Sequence, residues 1–329
     1  MDKPVAAPRT LQEAIRYFAN PDVCLAFMVE QRWPDGRVLC PICGSDRVTF
    51  LADYRRWKCS GKHPRRQFSI KVGTLFEDSP LGLEKWLPAL WMLVNDKNGV
   101  SSYEVHRALG VTQKTAWFML HRLRLAMRSG DMLSKLSGRV EADETFIGPD
   151  PRKMHAKKRE ARAAGRADQG YGVTLSKAIV AGLLDRAKGR VHAEVVPTVR
   201  AEHLAPIIRK NVEPGSEMIT DMLRSYWQIR DNFIHSVIDK TQTYVKGHVH
   251  TNGLENFWSL VKRGLRGTYI AVDAFHLHRY VDEQVFRYNE RRDASGDSGR
   301  FVKALRSIVG KRLTYRDLTS DPGLATTPA

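Results

Sequence analysis

Two cysteine knuckles set the tightest limit on how this chain can fold. Cys40-Pro41-Ile42-Cys43 is separated by fifteen residues from Cys59-Ser60-Gly61-Lys62-His63. Zn2+ favours a closed tetrahedron of thiolates and imidazoles, which two knuckles complete by facing each other across a hairpin. The intervening Arg47-Val48-Thr49-Phe50 and Tyr54-Arg55-Arg56-Trp57-Lys58 have strand character. The spacing therefore predicts a zinc ribbon over residues 37–78, with Cys40, Cys43, Cys59 and His63 as ligands of a structural ion. Gly44 lets the backbone turn tightly around the metal. Cys24 stands alone on a predicted helix from Val23 to Arg32 and reads as a small buried hydrophobe. Arg65, Arg66 and Lys71 follow the second knuckle and are read as facing phosphates.

Charge suggests what the ribbon serves. A formal net charge of +17 over 329 residues costs self-repulsion and suits a polyanion such as DNA. A membrane-spanning role is not expected. The longest apolar run, Trp86 to Val94, is far shorter than the roughly 18 residues a span requires and contains Pro88. The start of the chain lacks an apolar secretory core, so a cytoplasmic, nucleoid-associated protein is expected. Cysteines in that setting suit metal rather than disulfides.

In chain order, residues 1–36 form an N-terminal helical segment, opened by a capping box at Thr10-Leu11-Gln12-Glu13. Residues 79–130 read as a helix, Leu83 to Val94, followed by a helix-turn-helix. Ser101 to Leu109 is its first helix, Gly110 its turn, and Thr112 caps the second helix, which runs to Met127. In that motif the second helix enters the major groove. Gln113 and Lys114 would read base edges, while Ala116, Met119, Leu120 and Leu123 face inward. From Arg139 strands begin: Val140 to Gly148, Lys177 to Asp185, Gly189 to Thr198, Ser216 to Asp221 and Ile234 to Ile238. A helix over Ala201 to Lys210 interrupts them. A basic segment holding Lys157 and Lys158 reads as a loop over nucleic acid. This α/β order is that of an RNase H-like domain, here residues 138–270. Residues 271–318 would form a C-terminal helical extension, and 319–329 a disordered tail.

The stretch His250 to Arg263 divides at 100° per residue. Glu255, Ser259, Lys262 and Arg266 share one side; Leu254, Phe257, Trp258, Val261 and Leu265 share the other. Trp258 reads as core, and Gly264 and Gly267 as the helix stop. Asp143 in the first strand, Asp221 ending the fourth and Glu255 on this helix would converge at one edge of such a sheet. Three carboxylates brought together repel one another until cations join them. Mg2+ (or Mn2+) resolves this with oxygen ligands, and two such ions suit in-line displacement at phosphorus. Lys262, roughly 10 Å along the axis from Glu255, would hold a phosphate beside the metals. Arg263 and Arg266 would contact the DNA backbone.

These motifs resemble bacterial insertion-sequence transposases of the DDE type with an N-terminal zinc ribbon, insertion-sequence family fifteen-ninety-five. The resemblance spans nearly the whole chain. It is carried by the Cys40–Gly44 knuckle, Lys58 to Ser69, Gly73-Thr74-Leu75-Phe76, Ala116 to Leu120, Asp143 to Gly148, Thr220-Asp221 and His250 to Gly267. It implies Asp143, Asp221 and Glu255 as catalytic acids with Lys262 trailing them. It also implies binding to terminal inverted repeats and target DNA, and a dimer bridging two ends. Pro149 stands where the family pattern has a second glycine, and Met222-Leu223 where a small or polar residue is usual. Two alternatives share parts of this pattern: a binding-only regulator, and an RNase H-like nuclease that hydrolyses without joining. A zinc hydrolase is a much weaker alternative, since a four-ligand zinc leaves no open position.

Overall fold

The computed structural model describes residues 7–128, 134–148, 156, 160, 177–239, 247–270 and 272–320. Lys157 and Lys158, and residues 321–329 of the expected tail, lie outside them. The chain divides into two compact units, Met1–Ser129 with Glu290–Ala329, and Gly130–Asn289. The stretch 271–318 read as one extension is thus shared between the two.

In the first unit, Thr10 caps α1 (Leu11–Tyr17) by accepting from the Glu13 amide. The reciprocal half of the expected box is missing, because Glu13 instead accepts from the Arg9 amide at 2.8 Å. Asn20 caps α2 (Pro21–Arg32), with Pro21 at its first position where no donor is lost. Cys24 is fully buried and its thiol is pushed up to about 12, by burial first. The hairpin β1 (Val48–Leu51) and β2 (Arg56–Cys59) forms as expected, and β3 (Gln67–Phe68) adds a third antiparallel strand. Trp57 is paired with Phe68 across β2 and β3, both buried. The buried helix α3 (Leu83–Asn95) tolerates Pro88 within it. A full capping box at Ser101 and Glu104 starts α4 (Ser102–Leu109). Gly110, at φ 63°, turns the chain into α5 (Gln113–Met127), capped by Thr112.

The second unit is built on a five-stranded sheet: β4 (Arg139–Ile147), β5 (Ala178–Asp185), β6 (Arg190–Val196), β7 (Glu217–Asp221) and β8 (Ile234–Ile238). Its order is β6-β5-β4-β7-β8; β4, β5 and β6 pair antiparallel, while β7 runs parallel to β4 and β8. Alternation sends Val140, Ala142, Ala181 and Leu183 to one face, against α6 (Ala201–Asn211) and the turn Arg224–Ile229. Val180, Leu184, Val191 and Ala193 go to the other face. There they meet Leu254, Phe257, Trp258 and Val261 of α7 (Asn252–Gly264) and Leu277, Val281 and Val285 of α8 (Leu277–Asn289). The expected glycine stop is overturned. Gly264 is buried with right-handed helical angles (φ −60°), not the left-handed ones of a C-terminal cap. The helix continues as a π-turn, Leu265–Tyr269, and breaks only at Ile270 with φ 58°.

After Asn289 the chain returns to the first unit as α9 (Gly296–Arg306) and α10 (Tyr315–Thr319). Phe301 of α9 joins Phe18, Phe27 and Trp91 in an aromatic cluster.

Candidate active site and metal centre

Strand alternation in β4 puts Glu141, Asp143 and Thr145 on the α7 side, all buried. Asp143 is 7% exposed, and its Oδ2 accepts from Trp258 Nε1 at 2.9 Å. The indole reaches it because of Gly182, which lies directly opposite Asp143 on β5. A Cβ there would stand 2.5 Å from Trp258 Cζ2 and 2.7 Å from Cη2. Gly182→Ala is therefore expected to displace the ring and destabilise the unit by about 1–3 kcal/mol, as overpacking does. Calorimetry would register the lower melting temperature, and a shifted Trp258 Nε1–H resonance the broken bond. An unchanged resonance would contradict the account.

The pairing of β4 with β7 ends at Glu141 and Ile219. Asp143 and Asp221 each lie two residues beyond it, where the strands part. Such a crevice at strand carboxyl ends is where open α/β sheets place ligands. Asp221 Oδ1 accepts from the Leu223 amide at 3.1 Å, which turns the chain sharply after the strand. Tyr226, fully buried in the next turn, donates its hydroxyl to Glu144 of β4. Burial first, then Glu144, Asp221 and Asp143, push that phenol well above its ordinary range. It stays a donor, and Asp143 and Asp221 are both within electrostatic reach of it.

A cleft of about 520 Å³ opens between β4 and α7, lined by Asp143, Glu144, Glu255, Lys262, Arg263 and Arg266, with Thr145, Trp258 and Ser259. Three carboxylates there balance three cations. Lys262 is held below the usual lysine range, by burial first and then by Arg266, while Asp143 opposes the shift and Lys177 adds to it. A cation so crowded by cations gains from an anion arriving beside it. Thr251 Oγ1 lies 3.4 Å from Glu255 Oε1. Asp221 is not among the lining residues, so the cleft joins Asp143 and Glu255 with the expected cations but not the second acid. Among the described residues, the acids are not gathered as tightly as the cysteine cluster.

That cluster is Cys40, Cys43, Cys59 and His63, whose ligand atoms all lie within 4.8 Å of one another. Cys43 Sγ to Cys59 Sγ is 3.6 Å and Cys40 Sγ to His63 Nε2 is 3.5 Å. A tetrahedron with Zn–S near 2.3 Å has edges of about 3.8 Å. Gly61 lies against this cradle: a Cβ on it would stand 3.2 Å from Cys43 Sγ and 3.3 Å from Cys59 Sγ. The donor set fits structural Zn2+.

The nearby basic residues divide. Arg65 and Arg66 are exposed, although Arg66 Nε also donates to the Cys59 carbonyl at 3.2 Å. Lys71 does not face a partner: its ammonium donates to the carbonyls of Ser79 (2.7 Å) and Leu81 (3.0 Å). In α5 the expected inward residues are buried, but so are His121, Arg122 and Arg124. Only the first turns of that helix are open. There Gln113 donates to Ser102 Oγ at 2.9 Å, and the Lys114 ammonium lies 5.0 Å over the Tyr315 ring.

Sequence reasoning missed Glu144, Tyr226 and Gly182 and treated Trp258 as core alone. The indole is buried as expected, yet it is also bonded to Asp143. The alternation of β4 could have flagged Glu141 beside Asp143; nothing local flags Tyr226.

Residues 135–289 match the ISXO2-like transposase domain, and residues 19–61 the transposase zinc-ribbon domain. The chain is 26% identical over 262 residues to an uncharacterized protein in transposable element ISH50 of Halobacterium salinarum, covering 76% of this chain and 85% of that one. It is 36% identical over 104 residues to an uncharacterized transposase-like protein of Haemophilus influenzae, covering 31% of this chain and 83% of that one.

Proposed function

The chain belongs to the transposase family defined by the ISXO2-like domain and its zinc ribbon, and on that premise we propose that it is a DNA transposase of the DDE type. The sheet order β6-β5-β4-β7-β8, with only the last two strands parallel to β4, agrees with an RNase H-like catalytic domain. The observation that carries the reading is the cleft in which Asp143 and Glu255 face Lys262, Arg263 and Arg266. A regulator that only binds DNA has no use for a buried acid oriented by an indole.

Asp143, Asp221 and Glu255 would hold Mg2+ or Mn2+, whose hard-oxygen preference the donor set meets. When bound, the ions would activate the attacking oxygen and stabilise the leaving one. Trp258 orients Asp143. Lys262, with Arg263 and Arg266, would hold the scissile phosphate and its neighbours, since guanidinium forks match phosphate geometry. Water would attack the phosphodiester at an element end and free a 3′-hydroxyl. That hydroxyl would attack a target phosphodiester, forming one P–O bond as another breaks and releasing a target 3′-end. The zinc ribbon, with Arg65 and Arg66, and the open start of α5, with Gln113 and Lys114, would bind the terminal repeats. Lys157 and Lys158 are assigned to DNA on sequence grounds, and a dimer would bridge two ends. Among the described residues no helix is long and apolar enough to cross a membrane.

The test is strand transfer from a labelled element end with Mg2+. Asp221→Asn is expected to keep end binding and lose both cleaved and joined products. Cleaved but never joined product from the parent protein would favour a nuclease, and binding alone a regulator. Full cleavage by Asp221→Asn would remove that residue from the site.

A further inference from the structure

We propose that Glu141 and Arg186 are positioning residues for the third acid: an ion pair between a buried carboxylate and a half-buried guanidinium that fixes the first turn of α7 and so sets where Glu255 stands. The inference rests on the reading of Glu255 as a metal ligand. Glu141 is 1% exposed, and its Oε1 lies 2.7 Å from Arg186 Nε. Its Oε2 accepts from the Leu254 amide at 2.9 Å. That amide is a first-turn donor with no acceptor inside the helix, and there a carboxylate also meets the positive end of the helix dipole. Arg186 holds the approach to the helix, donating to the His248 carbonyl at 2.5 Å, the His250 carbonyl at 2.6 Å and His250 Nδ1 at 2.9 Å.

The geometry is a two-point dock. Glu141 and Asp143, two residues apart on one face of β4, are separated by roughly 6.8 Å of strand. Leu254 and Trp258, four apart on α7, are separated by roughly 6 Å of helix rise. The strand thus takes an N–H from the helix at each point, one from Leu254 and one from Trp258. Glu255 follows Leu254 directly, so its place depends on the first of these bonds. Gly253 is a condition of the dock. A Cβ there would stand 2.9 Å and 3.0 Å from the two Glu141 oxygens.

The experiment measures Mn2+ binding to the zinc-loaded full chain by electron paramagnetic resonance. Its four proteins are the parent, Arg186→Lys, Glu255→Gln and the double variant. Lysine keeps the charge but loses the fork. Arg186→Lys is expected to weaken Mn2+ binding roughly tenfold or more, as partners behind a metal ligand do, and to add little once Glu255 is already Gln. An equal fall in both backgrounds, or none in the parent, overturns the inference while leaving Glu255 as a ligand. If Glu255→Gln itself leaves Mn2+ affinity unchanged, the underlying reading fails and the inference with it. Gly253→Ala gives a second route should Arg186→Lys not fold. Alanine favours helix more than glycine does, so weaker Mn2+ binding in that variant cannot come from a frayed helix. Unchanged binding there, although Leu254 has lost its protection from amide exchange, also overturns the dock.

Discussion

Asp143→Asn is expected to lower Mg2+-dependent strand cleavage by about a thousandfold or more while the fold and end binding persist. The amide is isosteric, and its oxygen can still accept from Trp258 Nε1, which now lies 2.9 Å from the carboxylate. What disappears is a charge at a site 7% exposed, where little water remains to screen it. Lewis-acid stabilisation by a held metal contributes several kcal/mol to phosphoryl transfer, and about 4 kcal/mol is a thousandfold in rate. Lys262 changes too, because Asp143 is an acid that raises its pKa against burial, Arg266 and Lys177. Loss of that acid pushes the lysine further down and weakens its hold on phosphate. Trp258→Phe makes the comparison informative. It leaves the charge and removes the orienting bond, so a fall of roughly ten- to a hundredfold is expected. Single-turnover cleavage of a labelled end measures both. If Asp143→Asn cleaves within tenfold of the parent, Asp143 is not a ligand in the reaction.

The parts of this architecture that were legible from sequence are those written in local spacing. Two knuckles with a hairpin spacer give the Cys40, Cys43, Cys59 and His63 cluster directly. Period-two alternation gives β4 as a strand that carries Asp143. The pattern of α7 gives the division between Leu254, Phe257, Trp258 and Val261, which are buried, and Glu255, Lys262 and Arg266, which line the cleft. What escaped depends on register between distant segments. Gly182 matters only because pairing sets it opposite Asp143, and Arg186 only because a turn brings it to His248 and His250. Each alone is an ordinary strand glycine or surface cation. Lys71 fails in the opposite sense: a basic run suggests phosphate, yet two backbone carbonyls hold the side chain inside the unit. At Gly264 the local stop signal lost to helix geometry that continues as a π-turn to Tyr269.

Removing zinc is expected to unfold the ribbon, and Cys59→Ser to do the same in the presence of the metal. The three strands span only Val48–Leu51, Arg56–Cys59 and Gln67–Phe68, and so small a sheet is marginal without other support. Its apolar support centres on Trp57, which packs against Trp33, Phe50 and Phe68. Structural Zn2+ contributes about 10–16 kcal/mol in comparable peptides, far more than one such cluster supplies. Without the ion, Cys43 Sγ and Cys59 Sγ would face each other at 3.6 Å; with both ionised, their repulsion opposes the fold. Because binding requires thiolates and a neutral imidazole, zinc should also be released as pH falls. One zinc per chain, released by a chelator together with amide protection at Thr49, Trp57 and Lys58, is the expected result. Binding of element ends should fall with it by about a hundredfold or more, since that step is assigned to the ribbon and each 1.4 kcal/mol is tenfold in affinity. Protected ribbon amides after complete zinc removal would show that the aromatic cluster suffices and that the four ligands serve another purpose.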